Sequence, residues 1–374
     1  MQIVFYVGLD VHSTSHSIAM YNLVDDAFSY EYTVDGDPES IVKYVNAIAE
    51  ANPNATFKFG YEAGCLGKSI YYCLTKAGYE CVIMAPTTIA VSTQNRKKKN
   101  DRRDARSIAK ALATKQYKAV YITDDKDDQV RDFIRARQDL KKQLKMVKQQ
   151  ISSFLMHNGY IYHGTKWTNK HFQWIQSLNL SNVQKLTFDL YMHSYRNLTD
   201  LIEEADEQIS KFASDNRYEK NVLKLIGLKG IKELTAMTLI SEIGDFNRFP
   251  TANAFASYLG LTPTESSSGE KIQRGSISKL GNSHCRMSLI ESAQAMVKGA
   301  RGYKSKALKS RQKGLSPDTI AYCDQCTNRL MKRFTRLTVH KRYNVAITAI
   351  ARELACFIWG IMTDHTDLRL KTAK

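Results

Sequence analysis

Residues 4–34 read VFYVGLDVHSTSHSIAMYNLVDDAFSYEYTV. Apolar and polar residues alternate along Val4–Leu9, Ser17–Leu23 and Phe28–Val34, and His/Ser/Thr and Asp-Asp breaks separate the three runs. A period of two sends successive side chains to opposite faces of a pleated strand. The breaks are short, so neighbouring strands run antiparallel, and the stretch predicts a three-stranded meander. Asp10 stands at the end of its first strand.

Outward from this stretch the period changes. Pro38–Ala51 has helical spacing, Thr56–Tyr61 reads as a strand, Gly67–Ala77 as a helix and Glu80–Met84 as a strand. Helical patterns follow from Pro86 and from Asp101. An antiparallel meander followed by alternating α and β predicts a mixed α/β domain of ribonuclease H type over residues 1–120. From Asp127 the pattern turns to long helices. Val130, Phe133, Leu140, Leu144, Val147, Ile151 and Phe154 recur at three- and four-residue steps with Arg137 interrupting, and Leu198, Leu201, Ala205, Ile209 and Phe212 do the same. We read residues 121–216 as a helical, coiled-coil association region, with 157–168 as its turn; an ordinary bundle within the chain is the plainer alternative. Residues 217–374 form a mostly helical third region. Its Gly227-Leu-Lys-Gly230 turn between two short helical patterns resembles a helix-hairpin-helix, whose turn and following helix N-terminus can hold a phosphate.

The chain has 374 residues, 54 Lys+Arg against 37 Asp+Glu, and a net charge of +17. Arg96–Lys118 carries +8 and Lys298–Arg342 carries +11, which leaves about −2 for everything else. Charge concentrated in this way is the footprint of a polyanion partner, and it points to nucleic acid. Hydrophobic residues at 43% and charged ones at 24% exclude a mostly disordered chain. Seven scattered cysteines make no disulfide framework and fit a reducing cytoplasm. No signal peptide is visible at the start, and the apolar tail Val345–Met362 reads as core, too short to span a bilayer and interrupted by Arg352 and Glu353.

Four acids stand out. Asp10 and Glu62 end strands that a ribonuclease H-type sheet places side by side, and Asp101 and Asp104 sit three apart at a helix start, on one side of it. Clustered carboxylates suit Mg²⁺, a hard ion that takes oxygen ligands. The duller reading makes Asp101 a helix cap. His12 and His16 nearby read as surface residues. Beyond Leu259, Ser268 precedes Gly269 on a loop that leads through Lys271, Arg274 and Lys279, where a serine hydroxyl could act as a nucleophile or merely belong to a Ser-rich turn. Cys323 and Cys326 lack a second ligand pair for zinc.

Taken together, these motifs resemble the DEDD transposases of the insertion-sequence family one hundred and ten, relatives of the pilin-gene DNA invertase, essentially from end to end. The resemblance rests on Gly8-Leu-Asp10-Val-His12, Tyr61-Glu62-Ala-Gly64, Asn100-Asp101-Arg-Arg-Asp104-Ala, His163-Gly-Thr-Lys-Trp-Thr168, Glu242-Ile-Gly-Asp-Phe246, Leu261-Thr-Pro-Thr-Glu-Ser-Ser-Ser-Gly269 and Lys279-Leu-Gly-Asn282 with Arg286. It implies a RuvC-like N-terminal domain in which Asp10, Glu62, Asp101 and Asp104 bind Mg²⁺. Ser268, with Ser267 in reserve, would attack DNA to give a 5′-phosphoserine link. It further implies double-stranded donor and target DNA, a structured non-coding guide RNA that pairs with both, a homodimer or homotetramer, and action on the prokaryotic nucleoid without a membrane. Arg96, Lys97, Lys98, Lys99, Arg102, Arg103, Lys271, Arg274, Lys279, Arg329 and Arg333 are the expected nucleic-acid contacts. The rivals are a protein-guided invertase of the same build, a RuvC-like junction-resolving nuclease that ignores Ser268, and a non-catalytic DNA-binding protein.

Overall fold

A computed structural model describes residues 3–64, 66–86, 100–268 and 271–366, with the backbone alone at 266–268 and 271–274. The helical pattern from Pro86 and the basic run Arg96–Lys99 lie outside the described residues. The chain divides into two compact units, residues 1–122 and 123–374.

In the first unit the strands are β1 (Ile3–Val11), β2 (Ser15–Asn22), β3 (Ala27–Asp35), β4 (Ala55–Glu62) and β5 (Glu80–Met84). The helices are α1 (Pro38–Ala51), α2 (Ser69–Lys76) and α3 (Asp101–Thr114). The five strands form one mixed sheet in the order β3-β2-β1-β4-β5. β1, β2 and β3 pair antiparallel, whereas β4 joins β1, and β5 joins β4, in parallel. Every strand falls where the alternation placed it. Strand parity then decides the layers. Phe5, Val7 and Leu9 of β1, Ile18 and Met20 of β2, and Phe57, Phe59 and Tyr61 of β4 join Ile41, Val45, Ile70 and Leu74 of α1 and α2 in one core. The residues of opposite parity face α3. There Met84 packs on Ile108 and Leu112, and Tyr21 packs on Ala109 and Ala113.

The second unit opens with α4 (Asp125–His157) and α6 (Asn182–Ala213), of 33 and 32 residues, which pack against each other. Their link is more than the expected turn: it contains a further helix, α5 (Asn169–Gln176), started by the Thr168 hydroxyl as N-cap. Ile151, Leu155, Ile175, Phe188 and Met192 form a separate small core at this end. Near the other end Ile134 and Ile209 join the main core of the unit. That core is built by α7 (Glu219–Ile226), α8 (Glu233–Ile243), α9 (Ala252–Tyr258), α10 (Ser283–Met296), α12 (Pro317–Thr338) and α13 (Tyr343–Met362), with α11 (Lys306–Arg311) at its side. Between α9 and α10 runs a two-stranded ribbon, β6 (Pro263–Ser268) and β7 (Lys271–Ile277).

One sequence expectation needs correction here. At 20 residues α13 is long and apolar enough, by length and composition, to cross a membrane. Length therefore does not exclude a span, but burial argues for core: ten of its residues, among them Ile347, Ile350, Leu354 and Ile358, are buried within the unit. Cys323 and Cys326 are buried in the same core, and loss of hydration pushes the Cys323 thiol up to about 12. They pack as small apolar residues.

Candidate active site

Gly8 sets the position of the acids. A Cβ there would lie 2.1 Å from the Ala105 carbonyl oxygen and 2.4 Å from the Ala109 nitrogen, so only glycine lets α3 lie directly on β1. Two residues further along the same face comes Asp10. Leu9 pairs with Tyr61 in parallel register, and Asp10 and Glu62 follow that pair at the ends of their strands. By parity both belong to the face that α3 covers. Asn100, not Asp101, is the N-cap of α3, its side chain accepting from the Arg102 N–H. Asp101 and Asp104 thus both belong to the first turn, and neither is used up as the cap.

Asp10 Oδ2, His12 Nε2 and Asp101 Oδ1 come together: the imidazole lies 3.3 Å from Asp10 and 3.7 Å from Asp101. These three offer ligand atoms within 4.8 Å of one another, the one group of metal-binding geometry among the described residues. The Asp10 side chain is 16% exposed, and its carboxyl sits above the usual carboxylate range. Burial is the main cause; His12 opposes it, while the charges of Asp104 and Asp101 add to it. Asp104 is therefore within electrostatic reach of Asp10. Glu62 shares the face through its register and lies outside the three-residue group. His12, expected on the surface, is a member of the cluster. His12 lies just beyond the end of β1, and its closeness in sequence to Asp10 is the only local signal. His16, also expected on the surface, is fully buried in β2.

The orientation of α3 has a second determinant. Glu31 on β3 accepts from both Arg102 and Arg106, its side chain only 8% exposed. Burial alone would raise this carboxyl, but the Arg106 and Arg102 hydrogen bonds outweigh it and hold it below its ordinary range. Arg102, expected to meet phosphate, is engaged in this clamp, while Arg103 is exposed. Arg329 and Arg333 are likewise paired within the chain, both with Glu353.

The serine lies in the other unit. Ser268 ends β6 opposite Lys271 of β7, and Glu265 stands opposite Arg274. The base of this ribbon is held by two left-handed glycines. A Cβ on Gly281 would lie 1.9 Å from the Tyr258 carbonyl oxygen, and one on Gly260 would lie 2.3 Å from that of Leu280. Behind the base, Glu242 of α8 accepts from Arg135 Nε at 2.7 Å, Arg135 Nη2 at 2.8 Å and Asn282 Nδ2 at 2.6 Å. Asn282 also caps α10 through the Cys285 N–H. The Glu242 and Asn282 motifs are thus parts of one support that fixes where the ribbon leaves the core. Lys279, in the left-handed region at φ +56°, is exposed beside it.

Residues 223–309 match the family described as "Transposase IS116/IS110/IS902 family", and residues 7–158 match the DEDD transposase family of IS110, described as "Transposase". The protein named "Putative transposase y4qE" from Sinorhizobium fredii (strain NBRC 101917 / NGR234) is 32% identical over 359 residues, covering 95% of this chain and 88% of its own. The chain belongs to the IS110 family of DEDD transposases. The "Transposase for insertion sequence element IS1533" of Leptospira borgpetersenii is similar at 27% identity, over 89% of this chain and 96% of its own length. That of insertion sequence element IS1111A from Coxiella burnetii (strain RSA 493 / Nine Mile phase I) is 23% identical over 72% of this chain. As an IS110-family transposase the protein is a DNA strand-cleaving and rejoining enzyme. The match over residues 7–158 takes in the four acids and α4, and the match over residues 223–309 takes in α8, the ribbon and α10.

Proposed function

We propose that this transposase moves an insertion sequence by a metal-dependent, serine-using reaction guided by a structured non-coding RNA. The observation that carries the reading is the gathering of Asp10, Asp101 and Asp104 at the α3 face, with Glu62 on the adjoining strand end. The strand order, three antiparallel and two parallel, supports a ribonuclease H-like domain of RuvC type. Carboxylate oxygens fit Mg²⁺, and the imidazole fits less well. In this reading Asp10, Glu62, Asp101 and Asp104 hold the ion while His12 orients Asp10. Bound there, Mg²⁺ supplies positive charge for the phosphodiester undergoing displacement.

Ser268 then attacks phosphorus. Its Oγ–P bond forms as the P–O3′ bond breaks, leaving a 5′-phosphoserine and a 3′-hydroxyl that takes up the proton through solvent. Arg103, Lys279 and the basic run Arg96–Lys99 hold backbone phosphates, as do Lys271 and Arg274 of β7, and the Gly227–Gly230 turn before α8 adds a helix-hairpin-helix-like contact. Donor and target are double-stranded DNA, read by pairing with the RNA. We place this activity in the cytoplasm of a prokaryote, at the nucleoid. Acids and serine of one site come from different subunits of a homodimer or homotetramer. Self-association through residues 121–216 is supported by Val183, Leu186 and Leu190, which stay 73%, 68% and 70% exposed at helical spacing on α6.

The test is a denaturing gel of the protein incubated with Mg²⁺ and a DNA substrate. Wild type gives DNA attached covalently to protein, and Ser268→Ala gives none. Normal cleavage by Ser268→Ala with no adduct would replace this reading by the junction-resolving nuclease.

A further inference from the structure

The second unit contains a cavity of about 620 Å³ between the start of α9, α12 and α13. Three arginines line it: Arg329 and Arg333 from α12 and Arg352 from α13. Glu353 is the one carboxylate among its lining residues, and it is shared. Arg329 Nε meets its Oε1, and Arg333 Nη1 lies 2.9 Å from its Oε2. Arg352 makes no hydrogen bond or ion pair among the described residues. It stands, part-buried, beside Glu353 in a helix half of whose twenty residues are buried.

A guanidinium is costly to remove from water without a partner, and an apolar residue would serve the helix better. Aromatic residues share the lining: Phe357 and Trp359, both on α13 like Arg352, with the Trp359 ring stacked on His365 at 4.9 Å. Three guanidiniums, two of them held by Glu353, against that one carboxylate leave an excess of two positive charges. Planar forks suit phosphate, and aromatic walls suit a sugar or base.

We propose that this cavity docks the phosphate backbone of a nucleic-acid strand, with Arg352 as the anchoring cation and Glu353 as the internal partner that keeps Arg329 and Arg333 in place. The site shares no lining residue with the Asp10 cluster or the ribbon, and it rests on the reading that the chain binds nucleic acid. It also assigns Arg352 a role that its place inside an apolar run conceals.

The test measures binding of a fluorescent single-stranded oligonucleotide across a salt series. The proteins are wild type, Arg352→Gln, Arg352→Lys and Glu353→Gln, each with its melting curve. For Arg352→Gln the log–log salt slope falls by about 0.7, one phosphate contact on a single strand. Arg352→Lys keeps the charge and loses the fork, so it binds roughly two- to tenfold more weakly than wild type at an unchanged slope. Glu353→Gln frees two arginines and binds more tightly. Wild-type affinity in Arg352→Lys means that net charge alone matters and overturns the site, as does an unchanged slope in Arg352→Gln. If wild type itself binds no oligonucleotide, the nucleic-acid reading fails with it.

Discussion

Asp10 derives its surroundings from Gly8. Without a side chain at Gly8 the first turn of α3 approaches β1, and the carboxylates of Asp101 and Asp104 come to bear on Asp10. Gly8→Ala is an overpacking substitution against backbone, so a loss of ~1–3 kcal/mol is expected, read as a lower urea midpoint. The charge of Asp10 works in the other direction. Its folded pKa lies above the unfolded value, so the stabilisation it gives is full below the unfolded pKa and disappears as pH rises through the folded one. At neutral pH, with chelator present, ionised Asp10 is a net cost. Asp10→Asn therefore melts higher than wild type at pH 7, the gap closing as pH falls through the carboxylate range, while DNA cleavage is lost. A lower melting temperature for Asp10→Asn at pH 7 would remove the repulsive account of the cluster.

At the scale of elements, period and parity made the five strands legible, because each depends on neighbours one or two residues away. Other contacts had no local signal. Glu31 meets Arg102 and Arg106 across 71 and 75 residues, and Arg135 meets Glu242 across 107. Arg102, an expected phosphate contact, thus has a partner within the chain that no local spacing shows. Helix α5, which follows the 157–168 turn, has no clear signal in the spacing because eight residues hold barely two periods. The Arg135–Glu242–Asn282 support makes its own prediction. Glu242→Ala leaves Arg135 and Asn282 without their acceptor, at a cost of ~3 kcal/mol, the low end for a broken buried pair because Arg135 remains part-exposed. Urea unfolding measures it. The acid site lies in the other unit, so its metal affinity should not change.

For the whole molecule, the division into two units separates the chemistry. The acids belong to residues 1–122, and Ser268 belongs to residues 123–374. If subunits share sites, mixing Asp10→Ala with Ser268→Ala protein restores part of the cleavage that neither has alone. No recovery on mixing, with adducts still formed by wild type, would keep the serine and discard the exchange between subunits. Sequence reading offers candidate residues in each half but no way to bring them together, because nothing local in either half encodes the other.

Glu31 and Gly8 together have a consequence for how a cation would arrive. Both hold α3 through contacts that involve none of the clustered acids, so the seat is built before any ion reaches it. Entry then resembles ion exchange at a rigid resin more than the folding of a metal-dependent finger. Loading would carry little change in heat capacity, and its rate would be governed by how quickly the ion sheds water rather than by how quickly the chain rearranges.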